Sequence, residues 1–377
     1  MMSLRAPKLK WALLVLTIFS MVSCSTPKPS PQTIGDVKVT QALEPLWSLK
    51  VGGDTALNQT LFLVDGKLAL ATKNGVVHVV NTKTGQALWH FDLKATLNAG
   101  AGFDGQSVAV VTSSNELVVI NQGKVAWRSR LTAQTYTNPL IAGERVFLLL
   151  ADRSVMAYDL SNGQRLWTQQ RTGEALVLKQ NGVLMAFQNN LLAGLGGRLA
   201  AMNPDNGQVR WELPIATPRG INDLERLVDL VASPTRLNNS VCVRAFQAQV
   251  GCVDAARGSL LWSRPSNGAR GVDGDSAVLV GTEANGVVQA WNRATGERAW
   301  DTDRLKYREL TDPLMTSQGL VVGDAGGWLY VLSAKDGSLL NKVKTSAEGF
   351  ASKPTALPEG GFVVLTRNAQ LLAFQLP

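Results

Sequence analysis

The stretch VVNTKTGQALW, residues 79–89, contains the pattern that decides the fold. Two β-forming valines lead into a turn that begins at Asn81 and contains Gly85, and Leu88 and Trp89 resume an apolar run. This order predicts the end of one β-strand, a tight turn and the start of the next strand. Four other segments repeat it with Gly and Trp at the same spacing: DLSNGQRLW (159–167), NPDNGQVRW (203–211), DAARGSLLW (254–262) and NRATGERAW (292–300).

Three further segments carry part of the same pattern. NQGKVAW (121–127) is a shortened copy, SAKDGSLLN (333–341) has Asn341 in place of Trp, and PLWSLKV has Trp47 without the turn. The eight positions defined by the final Trp or its equivalent are 47, 89, 127, 167, 211, 262, 300 and 341. A period near 40 residues, filled with short β-forming runs, indicates one four-stranded propeller blade per repeat.

We therefore predict an all-β, eight-bladed β-propeller of four-stranded antiparallel blades. The N-terminal stretch PLWSLKV is expected to supply the outer strand of the last blade, which closes the ring. Pro139, Pro234 and Pro313 precede the turns of their repeats by a constant 20 residues and are expected to begin the innermost strands. Each Trp ring is large enough to fill the gap between neighbouring blades.

Charge and composition limit the class of protein. Apolar residues make up 45% of the 377 residues and charged residues 18%, which is typical of a globular protein with a sizeable core. Of the formal charge of +8, three positive charges lie in the first ten residues, so the rest of the chain carries 34 basic and 29 acidic residues, or +5. The basic residues are scattered, which argues against a nucleic-acid groove.

The N-terminus resembles the signal of bacterial lipoproteins. Residues 11–22 form an apolar run that is too short for a stable membrane span, and it ends at SMVSC, residues 20–24. The resemblance implies that residues 1–23 are a signal peptide and that Cys24 carries the lipid anchor. Residues 24–42 then read as a Pro-rich tether before a propeller at 43–377. The alternative is ordinary secretion with a free Cys24.

No catalytic scheme emerges from the residues. The Gly-x-x-x-Trp repeat resembles that of propellers that hold pyrroloquinoline quinone, so a quinone-dependent dehydrogenase is an alternative. Those enzymes carry a vicinal Cys pair, which this chain lacks. The two histidines, His78 and His90, are expected to be ordinary strand residues, and neither a phosphate-binding Gly-rich loop nor a nucleophile elbow is present. We predict a protein that is not an enzyme and that binds no cofactor or metal.

The other two cysteines lie in VCVRAFQAQVGCV, residues 241–253, which reads as a hairpin centred on Gln247. Cys242 and Cys252 are equidistant from that centre and should face each other across the two strands. In an oxidising compartment this predicts a cross-strand disulfide. The alternative is two small buried residues that remain reduced.

One interval breaks the repeat. Trp211 and Trp262 are 51 residues apart, and the extra length lies in residues 213–233. The connection at 171–182 should leave the neighbouring blade on the same face, and it presents Leu176, Leu178 and Lys179. Two adjacent loops with apolar centres and charged edges predict a protein-docking patch. The alternative is that the leucines cap the blade ends and the charges are merely solvated.

Taken together, the lipoprotein signal, the tether, the Trp-motif repeats and the insertion resemble the BamB family, over essentially the whole chain. The resemblance implies a non-catalytic scaffold lipoprotein on the periplasmic face of the outer membrane, within the β-barrel assembly complex. It would bind the POTRA domains of the barrel-forming subunit BamA and assist the assembly of unfolded outer-membrane proteins. Separately from the resemblance, we expect that unfolded substrates could add as strands to exposed blade edges. The propeller itself is expected to be monomeric.

The resemblance also assigns partner-binding residues. The family's Leu-x-Leu-basic stretch corresponds to Leu176, Leu178 and Lys179, with Lys where Arg is usual. The first acid of an Asp-x-Asp pair is Asp229, but the second position is Val231. Arg226 is expected to orient the inserted loop. A generic lipid-anchored binding propeller with an unrelated partner is the alternative function.

Overall fold

The computed structural model describes residues 29–57, 59–171, 176–218, 221 and 227–376. Residues 31–377 form one compact unit; residues 1–30 form a separate unit of which only 29 and 30 are described. All regular structure in the described part is β-strand. None of it contains a helix that is long and apolar enough to cross a membrane.

The first four blades follow one another along the chain, each as four consecutive antiparallel strands. Blade 1 contains β2 (Phe62–Val64), β3 (Lys67–Ala71), β4 (Val76–Asn81) and β5 (Ala87–Asp92); blade 2 contains β6 (Gly102–Phe103), β7 (Ser107–Val111), β8 (Glu116–Asn121) and β9 (Lys124–Arg130); blade 3 contains β10 (Leu140–Ala142), β11 (Arg145–Leu149), β12 (Val155–Asp159) and β13 (Arg165–Gln169); blade 4 contains β14 (Leu184–Phe187), β15 (Asn190–Leu195), β16 (Arg198–Met202) and β17 (Val209–Pro214).

The other four blades have the same order, except that the last one takes a strand from the N-terminus. Blade 5 contains β18 (Leu230–Leu237), β19 (Ser240–Ala245), β20 (Gln249–Asp254) and β21 (Ser259–Pro265); blade 6 contains β22 (Val272–Gly274), β23 (Val278–Thr282), β24 (Val288–Asn292) and β25 (Arg298–Thr302); blade 7 contains β26 (Leu314–Thr316), β27 (Gly319–Gly323), β28 (Trp328–Leu332) and β29 (Leu339–Lys344); blade 8 contains β30 (Thr355–Ala356), β31 (Phe362–Leu365), β32 (Gln370–Gln375) and β1 (Glu44–Lys50).

The ring closes where β1 pairs antiparallel with β32, and Trp47 lies opposite Ala373. The predicted eight-bladed propeller, with closure by the N-terminal strand, is therefore confirmed. Pro139 and Pro313 directly precede β10 and β26, as expected. The prediction for Pro234 is wrong: it lies inside β18, where the register shifts between Val231 and Thr235, so that the ladder loses no hydrogen bond there.

The core lies between the blades rather than inside one layer. The buried apolar side chains of the described residues form eight clusters, each shared by two neighbouring blades. The two middle strands of each blade are buried almost throughout, as in the pattern BBBBB of β7. The outer strands alternate between exposed and partly buried residues, because only one of their faces meets the next blade.

The repeated Gly and Trp contact each other across blades, not within one. Gly163, which has a φ of 75°, lies against the ring of Trp127 in the preceding blade, and a Cβ atom there would come within 2.6 Å of that ring. Six turns have this arrangement: Gly85 with Trp47, Gly163 with Trp127, Gly207 with Trp167, Gly258 with Trp211, Gly296 with Trp262, and Gly337 with Trp300. The glycine thus combines a left-handed backbone with room for the ring.

Hydrogen bonds reinforce this packing. The Trp127 indole Nε1–H donates to the Leu160 carbonyl, the second residue of the next blade's turn, at 2.7 Å. Trp47, Trp167, Trp262 and Trp300 donate to the equivalent carbonyls of Thr82, Pro204, Arg293 and Ala334. Within the turn, the Asp159 side chain accepts the amides of Ser161 and Asn162, which explains why Asn or Asp begins most copies.

The repeat without Trp lies at the ring closure. In blade 8 no turn joins the third strand to the outer strand, because the outer strand comes from the N-terminus. The outer strand of blade 7 therefore has no turn glycine in the next blade to pack against. Asn341 instead donates its side-chain amide to the Gln41 carbonyl at 2.7 Å, just before β1. Lys342 donates to the carbonyls of Ile34 and Gly35. The N-terminal segment therefore takes the place of the missing turn.

Two histidines lie close to this closure. His78 and His90 face each other across β4 and β5, with ring centroids 5.9 Å apart. Burial, and then the charge of His90, lower the pKa of His78 to about 4, while a hydrogen bond to the Val51 backbone partly offsets them. The structure therefore holds His78 neutral.

The first prediction concerns the turn glycines. Gly163→Ala should lower the melting temperature more than Gly52→Ala, because both positions have positive φ but only Gly163 meets a ring. An alanine with positive φ costs about 1–2 kcal/mol of folding stability in both variants. In Gly163→Ala, the steric clash of the new Cβ atom with the Trp127 ring adds about 1–3 kcal/mol. Thermal unfolding followed by circular dichroism measures the difference. Equal shifts in the two variants would contradict the packing role.

The second prediction concerns pH. Because the pKa of His78 in the folded chain, about 4, lies below its ordinary value of 6.5, the unfolded chain takes up the proton first as the pH falls. His78 therefore contributes stability above pH 6.5 that is lost as the pH falls towards 4. His78→Gln should have a shallower fall in melting temperature over this window than the native chain. Parallel profiles would show that His78 does not titrate in this way.

Candidate docking surface

Three chain segments meet on one face of the ring, at blades 3 to 5. In an antiparallel meander, successive connections alternate between the two ends of the strands. Residues 176–182 join β13 to β14, Asp229 precedes β18, and Arg153 lies in the turn between β11 and β12. All three therefore lie on the same face, which we call the connection face. The Gly–Trp turns lie on the opposite face, the turn face.

Asp229 is bonded to the segment beside it. One carboxylate oxygen accepts the Leu178 amide at 2.8 Å, and the other pairs with Arg153 Nη1 at 3.0 Å. Its side chain is only 13% exposed, and its carbonyl accepts the amide of Phe246. The geometry gives Asp229 the role of a positioning residue, since both of its carboxylate oxygens already have partners.

Arg153 is the second residue that holds this segment, although no sequence pattern predicted it, and we call Asp229 and Arg153 together the clamp. Its Nη2 donates to the Leu176 carbonyl at 2.9 Å, so one guanidinium joins Asp229 to the segment that Asp229 also holds. Gly196 leaves room for it, because a Cβ atom there would lie 2.5 Å from Arg153 Nη1. A single Arg in a short turn carries no pattern that could have identified it.

The clamp presents an apolar segment with a cation at its end. Leu176 is 45% exposed, whereas Leu178 is half-buried and borders a cavity of about 40 Å³ that Tyr136 and Leu149 also line. Lys179 is exposed, and its Nζ lies 5.5 Å from the centroid of the Tyr136 ring. A cation–π contact of this kind contributes about 0.5–1 kcal/mol at an exposed site. The predicted residues Leu176, Leu178 and Lys179 are thus adjacent to Asp229.

The edge of this surface is charged. Arg171, at the end of blade 3, donates to Glu212 of blade 4 at 2.6 Å, and Arg198 also pairs with that carboxylate. A hollow lined by these three residues, Arg153 and Val228 lies beside the clamp. An apolar centre with charged groups around it is typical of protein interfaces.

The structure describes the second acid position of the resemblance, Val231, but not Arg226 or Cys24. Val231 is 2% exposed and forms a β-bridge with Gly182, so this chain presents no side chain to a partner at the second acid position. Arg226 and Cys24 lie outside the described residues, and their predicted roles stay predictions.

Elsewhere, Cys242 and Cys252 lie opposite each other in β19 and β20 and are joined by a disulfide bond, with Cα atoms 4.0 Å apart. They are packed with Trp262 and Trp291 between blades 5 and 6. Among the residues with described positions, no group of three or more His, Cys, Asp or Glu side chains could hold a metal ion.

Comparison with known families gives the strongest constraint on identity. Residues 73–302 match the family model described as outer membrane protein assembly factor BamB. A protein of that name from Bordetella pertussis is 31% identical over 96% of this chain and 94% of its own length. The chain belongs to the BamB family.

Other relatives agree. The BamB protein of Burkholderia pseudomallei is 30% identical over 95% of each chain. The crystal structure of BamB from Moraxella catarrhalis has a TM-score of 0.80 and 19% identity, and it covers 89% of this chain and 100% of that one. At this identity the structural match shows the fold alone.

The quinoprotein likeness also extends only to the fold. Quinohemoprotein alcohol dehydrogenase from Comamonas testosteroni has a TM-score of 0.69 and 13% identity, and it covers 88% of this chain and 76% of that one. Membership of the BamB family, whose members are named as assembly factors, confirms the prediction that the protein is not an enzyme.

The third prediction tests the clamp without a partner. Asp229→Ala removes the acceptor of the Leu178 amide and the ion pair of Arg153. Hydrogen bonds to charged groups contribute about 1.5–3 kcal/mol, so exchange of the Leu178 amide should accelerate about ten- to a hundredfold. Hydrogen–deuterium exchange measures this directly. Asp205→Ala is the control, because it removes an exposed ion pair with Arg145 on the turn face. An unchanged Leu178 amide would contradict the clamp.

Proposed function

We propose that this protein is a non-catalytic scaffold lipoprotein of the outer-membrane β-barrel assembly complex, and that it docks onto the POTRA domains of the barrel-forming subunit BamA. The observation that carries the proposal is the clamp of Asp229 and Arg153, which holds the segment Leu176–Leu178–Lys179 against the ring. A segment that is already ordered loses less conformational entropy on binding, which favours a partner that recognises this one shape.

Individual residues would have different roles in this docking. Leu176 is 45% exposed and would contribute apolar area to the interface. Leu178 is half-buried next to it and would contribute its exposed part. Lys179 would fix orientation at the edge through its charge. Asp229 and Arg153 would act through the segment they hold, and Arg226 is proposed to orient the inserted loop.

The location of the protein follows from the N-terminal resemblance. We propose residues 1–23 as a lipoprotein signal peptide, Cys24 as the lipid anchor, 24–42 as the tether and 43–377 as the propeller on the periplasmic face of the outer membrane. Stable anchoring needs more than one acyl chain, which lipidation of an N-terminal Cys supplies. Unfolded outer-membrane proteins are the proposed substrates of the complex.

The fourth prediction tests the docking surface. Full-length protein in detergent is captured on the immobilised periplasmic domains of BamA from the same organism. Leu176→Ala should weaken binding about 5- to 30-fold, as for an interface anchor. Leu88→Ala is the matched control, because Leu88 is 49% exposed on the outer strand of blade 1.

Three outcomes separate the alternatives. Loss of binding by Leu176→Ala alone supports both the partner and the site. Equal binding by both variants keeps the partner but places the interface elsewhere. Failure of the native protein to bind, while folded, would favour a binding propeller with an unrelated partner.

A further inference from the structure

The centre of the connection face contains a small pit, which we call the central pit. Apart from Ala232 in β18, its walls are loop residues that precede the innermost strands or join the two middle strands of a blade, and they come from several blades around the ring. Gln180, the residue after Lys179, lines the central pit and also the cavity beneath Leu178. The pit therefore opens directly beside the proposed docking surface.

Hydrogen bonds cross the channel at Thr60 and Asn181, which line the pit. The hydroxyl groups of Thr60, in blade 1, and Ser233, in blade 5, share a hydrogen bond of 2.5 Å between opposite sides of the ring. Asn181 donates to the Thr60 hydroxyl at 3.2 Å, and Asn138 donates to the Thr60 carbonyl at 3.0 Å. These hydrogen bonds form a polar layer across the channel beside the pit.

Three cations border the central pit: Arg270, Lys353 and Arg367. Arg270 and Arg367 are exposed, and Lys353 is half-buried. Within the part of the chain that the structure describes, none of the three side chains has a hydrogen bond or an ion pair. Their positive charge is therefore available to a ligand.

Three acids also line the pit: Asp312, Asp324 and Glu309. Asp324 is 2% exposed; it accepts the Tyr330 hydroxyl at 2.8 Å and faces Arg308. Asp312 lies in the field of the fully buried Arg244, and Glu309 has an interaction of its own. Asp324 and Glu309 thus have partners within the protein. Among the described residues, the three cations whose side chains have no hydrogen bond or ion pair outnumber the one such acid, Asp312, which leaves the pit positive.

The size of the pit limits what can enter it. Its volume is about 50 Å³, which is room for a few water molecules or one carboxylate group, since a water needs about 10–15 Å³ on this measure. A whole nucleotide or quinone is far too large. A ligand would be the anionic tip of something larger that lies over the connection face.

We propose that the central pit receives an acidic side chain of the protein docked on the Leu176–Lys179 surface. This inference rests on the proposed docking, because Gln180 joins the two sites and a domain seated on one extends over the other. A carboxylate meets a half-buried ammonium and two guanidinium groups there, which sets the orientation of the partner and speeds its encounter.

The fifth prediction compares two variants of equal charge. The pit variant combines Arg270→Gln, Lys353→Gln and Arg367→Gln. The control combines Lys83→Gln, Lys124→Gln and Arg165→Gln, three exposed cations in or directly after turns on the turn face. Full-length proteins in detergent are titrated with the periplasmic domains of BamA at low and at high salt. The pit variant should bind about tenfold more weakly than native at low salt, with a smaller difference at high salt, and the control should match native.

Each other outcome decides the question. If both variants bound equally weakly, the loss of affinity would come from the change in net charge alone, and the proposal would be overturned. Native-like binding by the pit variant would overturn it while leaving the docking surface in place. If the native protein itself does not bind, the proposed function fails, and the pit proposal fails with it.

A covalent test identifies the contact itself. Carbodiimide activates a partner carboxylate, and the Lys353 amine then displaces the urea to form an amide, which mass spectrometry locates. We expect a cross-linked peptide that contains Lys353. Lys353→Arg keeps the charge and should keep the affinity, but it cannot form this amide. Absence of a Lys353 cross-link in a complex of native affinity would overturn the proposal.

Discussion

The contact between a turn glycine and the tryptophan of the preceding blade is the constraint on which this structure depends. It joins neighbours rather than parts of one blade, so each blade is completed only by the next one. Since the contact needs both a positive φ and an absent Cβ, Gly and Trp recur together. Where the ring closes there is no turn to cover, and Asn341 bonds the N-terminal segment instead.

A ring joined in this way leaves its loops free to differ. The turn face is committed to the Gly–Trp contacts, whereas the connection face carries the inserted loop, the clamp of Asp229 and Arg153, and the central pit. Asp229 and Arg153 hold one segment in place, and the cations that line the central pit leave a small positive site beside it. This division agrees with the proposed role of the protein as a scaffold.

The sequence was sufficient for the fold because the Gly–Trp pattern is local and repeated. The longer interval between Trp211 and Trp262 also shows where length was added to the repeat. The sequence could not identify Arg153, or the hydroxyl pair of Thr60 and Ser233, because these contacts join residues distant in the chain and follow no period. Pro234 was misplaced for a related reason: a bulge in β18 tolerates a proline that the pattern assigned to a strand start.

The most direct test of the account is hydrogen–deuterium exchange of the full-length protein, with and without the periplasmic domains of BamA. We expect slower exchange at residues 176–182 and at the amides from Asp229 to Ala232, with no change in the turn at 81–87 on the turn face. Protection confined to the turn face, in a complex that forms, would contradict the account, because it would place the partner on the side that the Gly–Trp contacts occupy.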